Sequence, residues 1–438
     1  MHMKIDIHQY DKKFDGALRH LAKITISERN KTLIRSFSDA CLLRQVCGKV
    51  RLIRAIGALG TIAEHLGKDF DQADRTDIER VLTILLRRQP AYSTETIATY
   101  KRILRRFMTY VAHPDAFPNI PVPPTVSWVN SHLRKRDRVM IRRADLLTPE
   151  EIDVLLRTCD NDRDRAFISF LWEGGPRVGE IGNLKLKDVQ RVSYGYTVTI
   201  TGKTGTRSPL LISSAPYLSR WLALHPKRDD PEAPVWLHHL GTKPLGYNAI
   251  CVMLARLFKR CGINKPSHPH IFRHSRVTYV LANAIMNEQQ SKLYFGWSPD
   301  SDMPGSTYAH LIDSDVNNAI LRENHLSPQQ QHHEELRPIA CHNCRELNAA
   351  KTEYCTKCGA VLDMKRAYEH QQLHDSKEQL FTSMFKLLVE KGLVDDAARS
   401  VHDAHLGDTL RRLALHATGE RNIRETGSAT TVKEEPLA

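Results

Sequence analysis

The sequence has no apolar run long enough to cross a bilayer. Its longest stretch without Asp, Glu, Lys or Arg, residues 116–133, contains Pro118, Pro121, Pro123 and Pro124 and reads as a linker. The first residues, Met1-His-Met-Lys-Ile-Asp-Ile, lack the apolar core of a secretory signal. The expectation is a cytoplasmic protein with no membrane partner, whose thiols stay reduced. No Gly-x4-Gly-Lys-Ser/Thr loop is present to hold a triphosphate, and no internal repeat is found. With 41% hydrophobic and 26% charged residues, the composition excludes collagen, disorder throughout and a disulfide-stapled miniprotein.

Positive charge is abundant and unevenly placed. The 438 residues hold 63 Lys+Arg against 50 Asp+Glu, a net charge of +13. Residues 1–146 hold 27 Lys+Arg and 15 Asp+Glu, residues 147–325 hold 21 and 18, and residues 326–438 hold 15 and 17. The excess is almost wholly amino-terminal, so a polyanion gripped by the first third of the chain is the expected partner.

Residues 1–112 read as a helical region. Ser27-Glu-Arg-Asn opens one helix, and Thr76-Asp-Ile-Glu79 forms a second capping set. From Thr94 to Val111, the residues Ile97, Tyr100, Leu104, Phe107 and Val111 recur at three and four positions. Lys101, Arg102, Arg105 and Arg106 share the other face. Residues 113–146 are Pro-rich and then basic, with Arg134, Lys135, Arg136, Arg138, Arg142 and Arg143, and are expected to be an extended strap over a phosphate backbone. Leu147-Thr148-Pro149-Glu-Glu opens a second domain, 147–325, in which Tyr196–Thr201 and Leu210–Ile212 read as a hairpin around residues 202–207 and the rest as mainly helical. A linker, 326–340, leads to a cysteine cluster, 341–362. Residues 363–416 read as helical, with Leu380, Phe381, Met384, Leu387 and Leu388 at helical spacing, and 417–438 as a disordered tail.

Cys341-x2-Cys344 and Cys355-x2-Cys358, ten residues apart, have the spacing of a zinc ribbon, in which four thiolates close a tetrahedral structural Zn2+ site. Cys41, Cys47, Cys159, Cys251 and Cys261 are scattered and read as small core residues.

Three motifs follow one another in the second domain: Gly175-Pro-Arg177-Val-Gly-Glu180, His270-Ile-Phe-Arg273-His274, and Gly296-Trp297 followed by Ser306-Thr-Tyr308-Ala-His310. Lys203 lies between the first two. In this order the set resembles the tyrosine recombinase, or phage integrase, family, in detail most like archaeal integrases. The resemblance implies a mainly α protein with a small β-hairpin, in which a SAM-like helical core-binding domain precedes a catalytic domain. It implies Tyr308 as the nucleophile that stores the phosphoryl group. Arg177 and Arg273 would bind the non-bridging oxygens, His270 would assist proton transfer, Lys203 would protonate the leaving 5′ oxygen, and Trp297 would donate its indole N–H. Glu180 and His274 would support them, and Arg207 is a weaker substitute for Lys203. Such chemistry suits the residue types, since guanidiniums bind phosphate bidentately without titrating and a phenol forms a phosphodiester.

The implied activity is site-specific DNA recombination, for integration or excision of a mobile element. The implied partners are double-stranded DNA with specific recombination sites and a homotetramer, with no cofactor for catalysis. A type IB-like topoisomerase and a non-catalytic architectural DNA-binding protein are the alternatives. Two departures stand out: Pro176 replaces the usual Leu, and the loop from Trp297 to Tyr308 is longer than common, which leaves open whether Tyr308 acts in its own subunit or in a neighbour.

Overall fold

The computed structural model describes residues 5–132, 141–202, 204–238, 241, 243–302, 315, 317, 320–321 and 336–400. It divides into two compact units, Met1–Pro338 and Ile339–Ala438.

The first unit opens with helices α1 (Tyr10–Lys23), α2 (Glu28–Leu43), α3 (Lys49–Leu66), α4 (Arg75–Arg87) and α5 (Thr94–Ala112). Ser27 and Ser93 cap α2 and α5 by accepting the N–H groups of Asn30 and Thr96. The capping box of α4 is Asp74 with Asp77, not Thr76 with Glu79. Asp74 has the extended backbone that a cap requires, whereas Thr76 already lies inside the helix. On α5, Leu104 and Phe107 are fully buried, and Ile97, Tyr100 and Val111 pack against the same core. The Phe107 ring meets Phe37 and Phe70 edge-on, at 5.3 and 4.8 Å between centroids.

Residues 113–129 are not extended. They form a short helix, α6 (Pro124–Ser127), and bury Phe117, Val126 and Val129 in the core of α1–α5. Arg44 donates to the Pro114 and Phe117 carbonyls and Arg105 to that of Val129. These three apolar anchors outweigh the prolines and neighbouring charges on which the extended reading rested. The basic residues Arg134, Lys135, Arg136 and Arg138 lie outside the described residues, as do residues 326–335 and the tail 417–438.

The rest of the unit is built on α7 (Pro149–Thr158), opened by the reciprocal Thr148 and Glu151 box, and on α8 (Asp162–Gly174). Ala166, Phe167, Ile168, Phe170 and Leu171 of α8 are all fully buried. Around α8 lie α9 (Val178–Gly182), α10 (Ala215–Ala223), α11 (Tyr247–Arg260), α12 (Pro269–Ala282) and α13 (Glu288–Phe295). The expected strand Tyr196–Thr201 is divided. Strand β2 (Gly195–Val198) is the centre of an antiparallel sheet between β1 (Val189–Val192) and β5 (Leu210–Leu211). Strands β3 (Ile200–Gly202) and β4 (Gly205–Arg207) form a separate hairpin. The division falls at Thr199, whose N–H leaves the ladder for the carbonyl of Asp188.

In the second unit, β6 (Ile339–Ala340) pairs with β7 (Leu347–Asn348), and α14 (Met364–Glu390) and α15 (Val394–Ser400) follow. Leu380, Phe381, Met384 and Leu387 lie on α14 and are exposed. Cys41 and Cys159 are buried, and Cys47, Cys251 and Cys261 half-buried. No helix among the described residues is long and apolar enough to cross a membrane.

Glu173, buried in α8, accepts the backbone N–H groups of Ile212, Ser213 and Ser214 and the Ser214 hydroxyl. It thereby ties β5 and the start of α10 to the central helix. Replacing Glu173 by Gln keeps the shape but removes the charge and one acceptor oxygen. A loss of about 2 kcal/mol is expected in urea unfolding, and a loss below about 0.5 kcal/mol would contradict this role.

Candidate active site

Helix α8 ends at Gly174, and the chain turns through Gly175, whose φ is 51°. A Cβ at Gly175 would strike the ring of Phe295. The turn places Arg177 as the cap of α9, where its N–H donates to Glu180 Oε2 at 3.0 Å and its Nη1 to Oε1 at 2.7 Å. Helix α13 likewise ends on a left-handed glycine, Gly296, with φ 70° and the Arg207 guanidinium where a Cβ would stand. The Gly296 carbonyl accepts both terminal nitrogens of Arg177 at 3.2 Å.

Arg273, on α12, is 1% exposed. It donates to the Gly175 carbonyl at 2.7 Å and to that of Phe295 at 2.8 Å. Its guanidinium carbon lies 4.6 Å from the centroid of the Trp297 ring. The two arginines therefore brace each other's segments: Arg273 holds the turn before Arg177, and Arg177 holds the carbonyl before Trp297. The three separate motifs meet at this brace.

The stretch that carries these residues, 145–314, matches the phage integrase family. It is a phage integrase domain, and its relatives are tyrosine recombinases. A tyrosine recombinase of Thermosipho africanus is 23% identical over 263 residues, covering 58% of this chain and 87% of the relative. Tyrosine recombinase XerD of Listeria monocytogenes is 28% identical over 225 residues, 49% of this chain and 71% of XerD. Among solved structures, XerH bound to its palindromic difH substrate in a post-cleavage complex is 17% identical, with a TM-score of 0.49 over 74% of this chain and 98% of XerH.

In the recombinase domain, Glu180 is 8% exposed and also receives Arg207 Nη2 at 2.7 Å, while Arg207 Nε donates to the Tyr294 carbonyl at 3.0 Å. Burial pushes the Glu180 carboxyl up, and the guanidiniums of Arg207 and Arg177 more than offset this, so the acid lies below its ordinary range. Arg207 is thus a buried counter-ion that joins the β3–β4 hairpin to α9, not a spare for Lys203. This role has no local signature, because its partners lie on two other elements.

Lys203 and Tyr308 lie outside the described residues. The residues beside Lys203 are placed: Gly202 packs on Glu180 Oε1, and the Thr204 hydroxyl donates to the Gly296 carbonyl at 3.0 Å. His270 sits one turn before Arg273, and His274 follows it, half-buried.

On α5 the basic residues divide. Arg102 and Arg106 line a notch of about 350 Å³ with Arg51 and Arg54 of α3, whereas Arg105 is turned to the Val129 carbonyl. Lys101 is half-buried on the same helix. Arg51 and Arg54 were legible as a pair three residues apart on one helix face and were missed.

A second constellation lies in the unit 339–438. The sulfurs of Cys341, Cys344, Cys355 and Cys358 are all within 4.8 Å of one another. The Cys341–Cys358 and Cys344–Cys355 pairs are 3.5 Å apart. The two Cys-x2-Cys turns are built alike. Arg345 N–H returns to the Cys341 carbonyl and Gly359 N–H to that of Cys355, both at 2.9 Å, and both residues have positive φ. Backbone N–H groups of Asn343 and Cys344 point at the Cys341 sulfur, and those of Lys357 and Cys358 at the Cys355 sulfur. Tetrahedral zinc at ~2.3 Å from each sulfur sets the sulfurs about 3.8 Å apart, so the donor set fits that ion.

His270 is exposed at the start of α12, one turn before Arg273. Loss of solvation, then the charges of Arg273, His268 and Arg177, lower its pKa below the ordinary 6.5. His270 is therefore a neutral proton acceptor at pH 7 and gains charge only on acidification through a midpoint below 6.5. A histidine NMR titration is expected to show that midpoint, rising in Arg177→Met. A wild-type midpoint above 6.5 would contradict the placement.

Proposed function

We propose that this chain is a site-specific DNA recombinase that breaks and rejoins strands through a 3′-phosphotyrosyl intermediate on Tyr308. The observation that carries the reading is the convergence of Arg177, Arg273 and Trp297 through the carbonyls of Gly175, Phe295 and Gly296. In the reaction the phenolic oxygen of Tyr308 bonds to the scissile phosphorus and the bond to the 5′ oxygen breaks. The pentacoordinate transition state gains charge on its non-bridging oxygens, which Arg177 and Arg273 neutralise from fixed positions. His270 manages the proton of the attacking phenol, Trp297 donates its indole N–H, and Lys203 delivers a proton to the departing 5′ oxygen. Glu180 and His274 orient these groups. The 5′-hydroxyl of a second strand reverses the reaction and releases Tyr308, so the bond energy is conserved without ATP or a catalytic metal.

The duplex is gripped by the arginine notch of α3 and α5 and by the basic strap with Arg134, Lys135, Arg136 and Arg138. By its family resemblance the enzyme works as a tetramer on two specific sites, in the integration or excision of a mobile element. Cys341, Cys344, Cys355 and Cys358 hold a structural Zn2+. With four protein ligands the ion has no open position, so its contribution is to fold the ribbon.

The test starts from a pool of nicked, random-sequence duplexes, from which detergent-resistant protein–DNA adducts are recovered. Wild-type protein is expected to capture a defined sequence, and Tyr308→Phe to capture none. An adduct formed by Tyr308→Phe would remove Tyr308 as nucleophile. For the ribbon, elemental analysis of protein purified without chelator is expected to find one zinc per chain, lost in Cys341→Ser. Absence of zinc in the wild type would defeat the assignment.

A further inference from the structure

The residues ahead of α1 are folded onto the helix that carries Arg177. Ile7 lies outside any regular element, yet it is 4% exposed. Its N–H donates to Asn183 Oδ1 at 3.2 Å, and its carbonyl accepts the N–H of Tyr247, at the start of α11, at 3.0 Å. Its side chain covers Gly182 so closely that a Cβ there would collide with Ile7 Cδ1. The ring of His8 lies over Gly179 and between Tyr10 and Tyr247, at 4.9 and 4.8 Å between centroids.

Gly179 and Gly182 are three residues apart and form one bare face of α9, which Ile7 and His8 fill. Asp6 fixes this segment to α1, because its carboxylate accepts the N–H groups of His8 and Tyr10 at 2.9 and 2.8 Å. Helix α1 in turn packs on α3, which carries Arg51 and Arg54.

Helix α9 needs such support. It has five residues, two of them glycine, and a helix that short does not hold its own shape. Glu180 anchors it through Arg177 and Arg207, and Ile7 with His8 anchor its glycine face.

We propose that residues 6–10 are a positioning clip, in which Ile7 and His8 hold α9, and through it Arg177 and Glu180, in register with the helical region that grips DNA. The inference rests on the recombinase reading. It adds that the extreme amino-terminal segment sets the geometry of the catalytic arginine, so that the placement of the α1–α3 region is transmitted to the scissile phosphate.

Ile7→Asp, Ile7→Val, Asn183→Ala and the wild type are compared on the duplex captured above, at saturating DNA. Ile7→Asp is expected to slow adduct formation by at least about tenfold with DNA affinity changed less than about threefold, while Ile7→Val stays near wild type. Asn183→Ala, which removes only the bond to the Ile7 amide, repeats the effect in smaller degree should Ile7→Asp prove unstable. The decisive comparison uses a duplex with a methylphosphonate at the scissile position, which carries one anionic oxygen fewer and depends less on the guanidinium of Arg177. There the deficit of the clip variants is expected to shrink severalfold. An equal deficit on both duplexes would overturn the proposal, because a general loss of structure would not distinguish them. Hydrogen exchange across residues 177–184 gives a readout without DNA: unchanged exchange in the clip variants overturns the clip, whereas failure of the wild type to capture any duplex overturns the recombinase reading instead.

Discussion

The candidate catalytic face depends on one buried carboxylate. Glu180 lies between the guanidiniums of Arg177 and Arg207, each 2.7 Å from one of its oxygens, and it is buried enough that neither arginine could be brought there without it. Two cations against one anion leave a net positive charge, which is what a phosphodiester would meet in the proposed reaction. Because an arginine does not lose its proton in a protein, that charge persists at any pH at which the fold persists. Arg207 makes the carboxylate structural as well as electrostatic, since it carries the β3–β4 hairpin against α9.

Arg273 is held differently. Its partners are the carbonyls of Gly175 and Phe295, and Arg177 adds that of Gly296. These carbonyls end α8 and α13, where the peptide dipoles sum to a partial negative charge. Two helix C-termini thus serve as fixed, uncharged counter-poles for the arginines. They orient the guanidiniums without neutralising them, as the proposed binding of a phosphoryl-transfer transition state would require. The glycines at 175 and 296 are what permit it, because each turns the chain through a left-handed conformation in a space already filled by Phe295 or Arg207.

The candidate-site residues that the structure brings together were legible because their spacing is local. Arg177 with Glu180 and His270 with Arg273 are i, i+3 pairs, and the two Cys-x2-Cys turns repeat one geometry within five residues each. The amphipathic stripe of α5 and the Thr148 cap were legible for the same reason. What could not be read depended on distant partners. Arg207 looked like a spare lysine because Glu180 and Tyr294 are remote in sequence. Phe117, Val126 and Val129 were lost among prolines and charges, and the short strand β1 was missed altogether. Ile7 gave no signal, since its contacts with Asn183 and Tyr247 span more than half of the residues between the amino terminus and the end of the recombinase domain.

The charge distribution acquires a mechanical meaning from these contacts. Arg51, Arg54, Arg102 and Arg106 face solvent around a notch, where their attraction for any polyanion would be long-ranged and screened by salt. Arg177 and Arg273 are committed to backbone and carboxylate partners, so their field is short-ranged and resists screening. In the proposed reaction one set would gather DNA without performing chemistry, and the other would perform chemistry without supplying much affinity. Such a division works only if the two sets keep a fixed geometry, since a displacement of about 1 Å at a reacting phosphate costs about a hundredfold in rate. Among the described residues of this unit, one chain that connects them runs from α3 through α1 and Asp6 to the glycine face of α9.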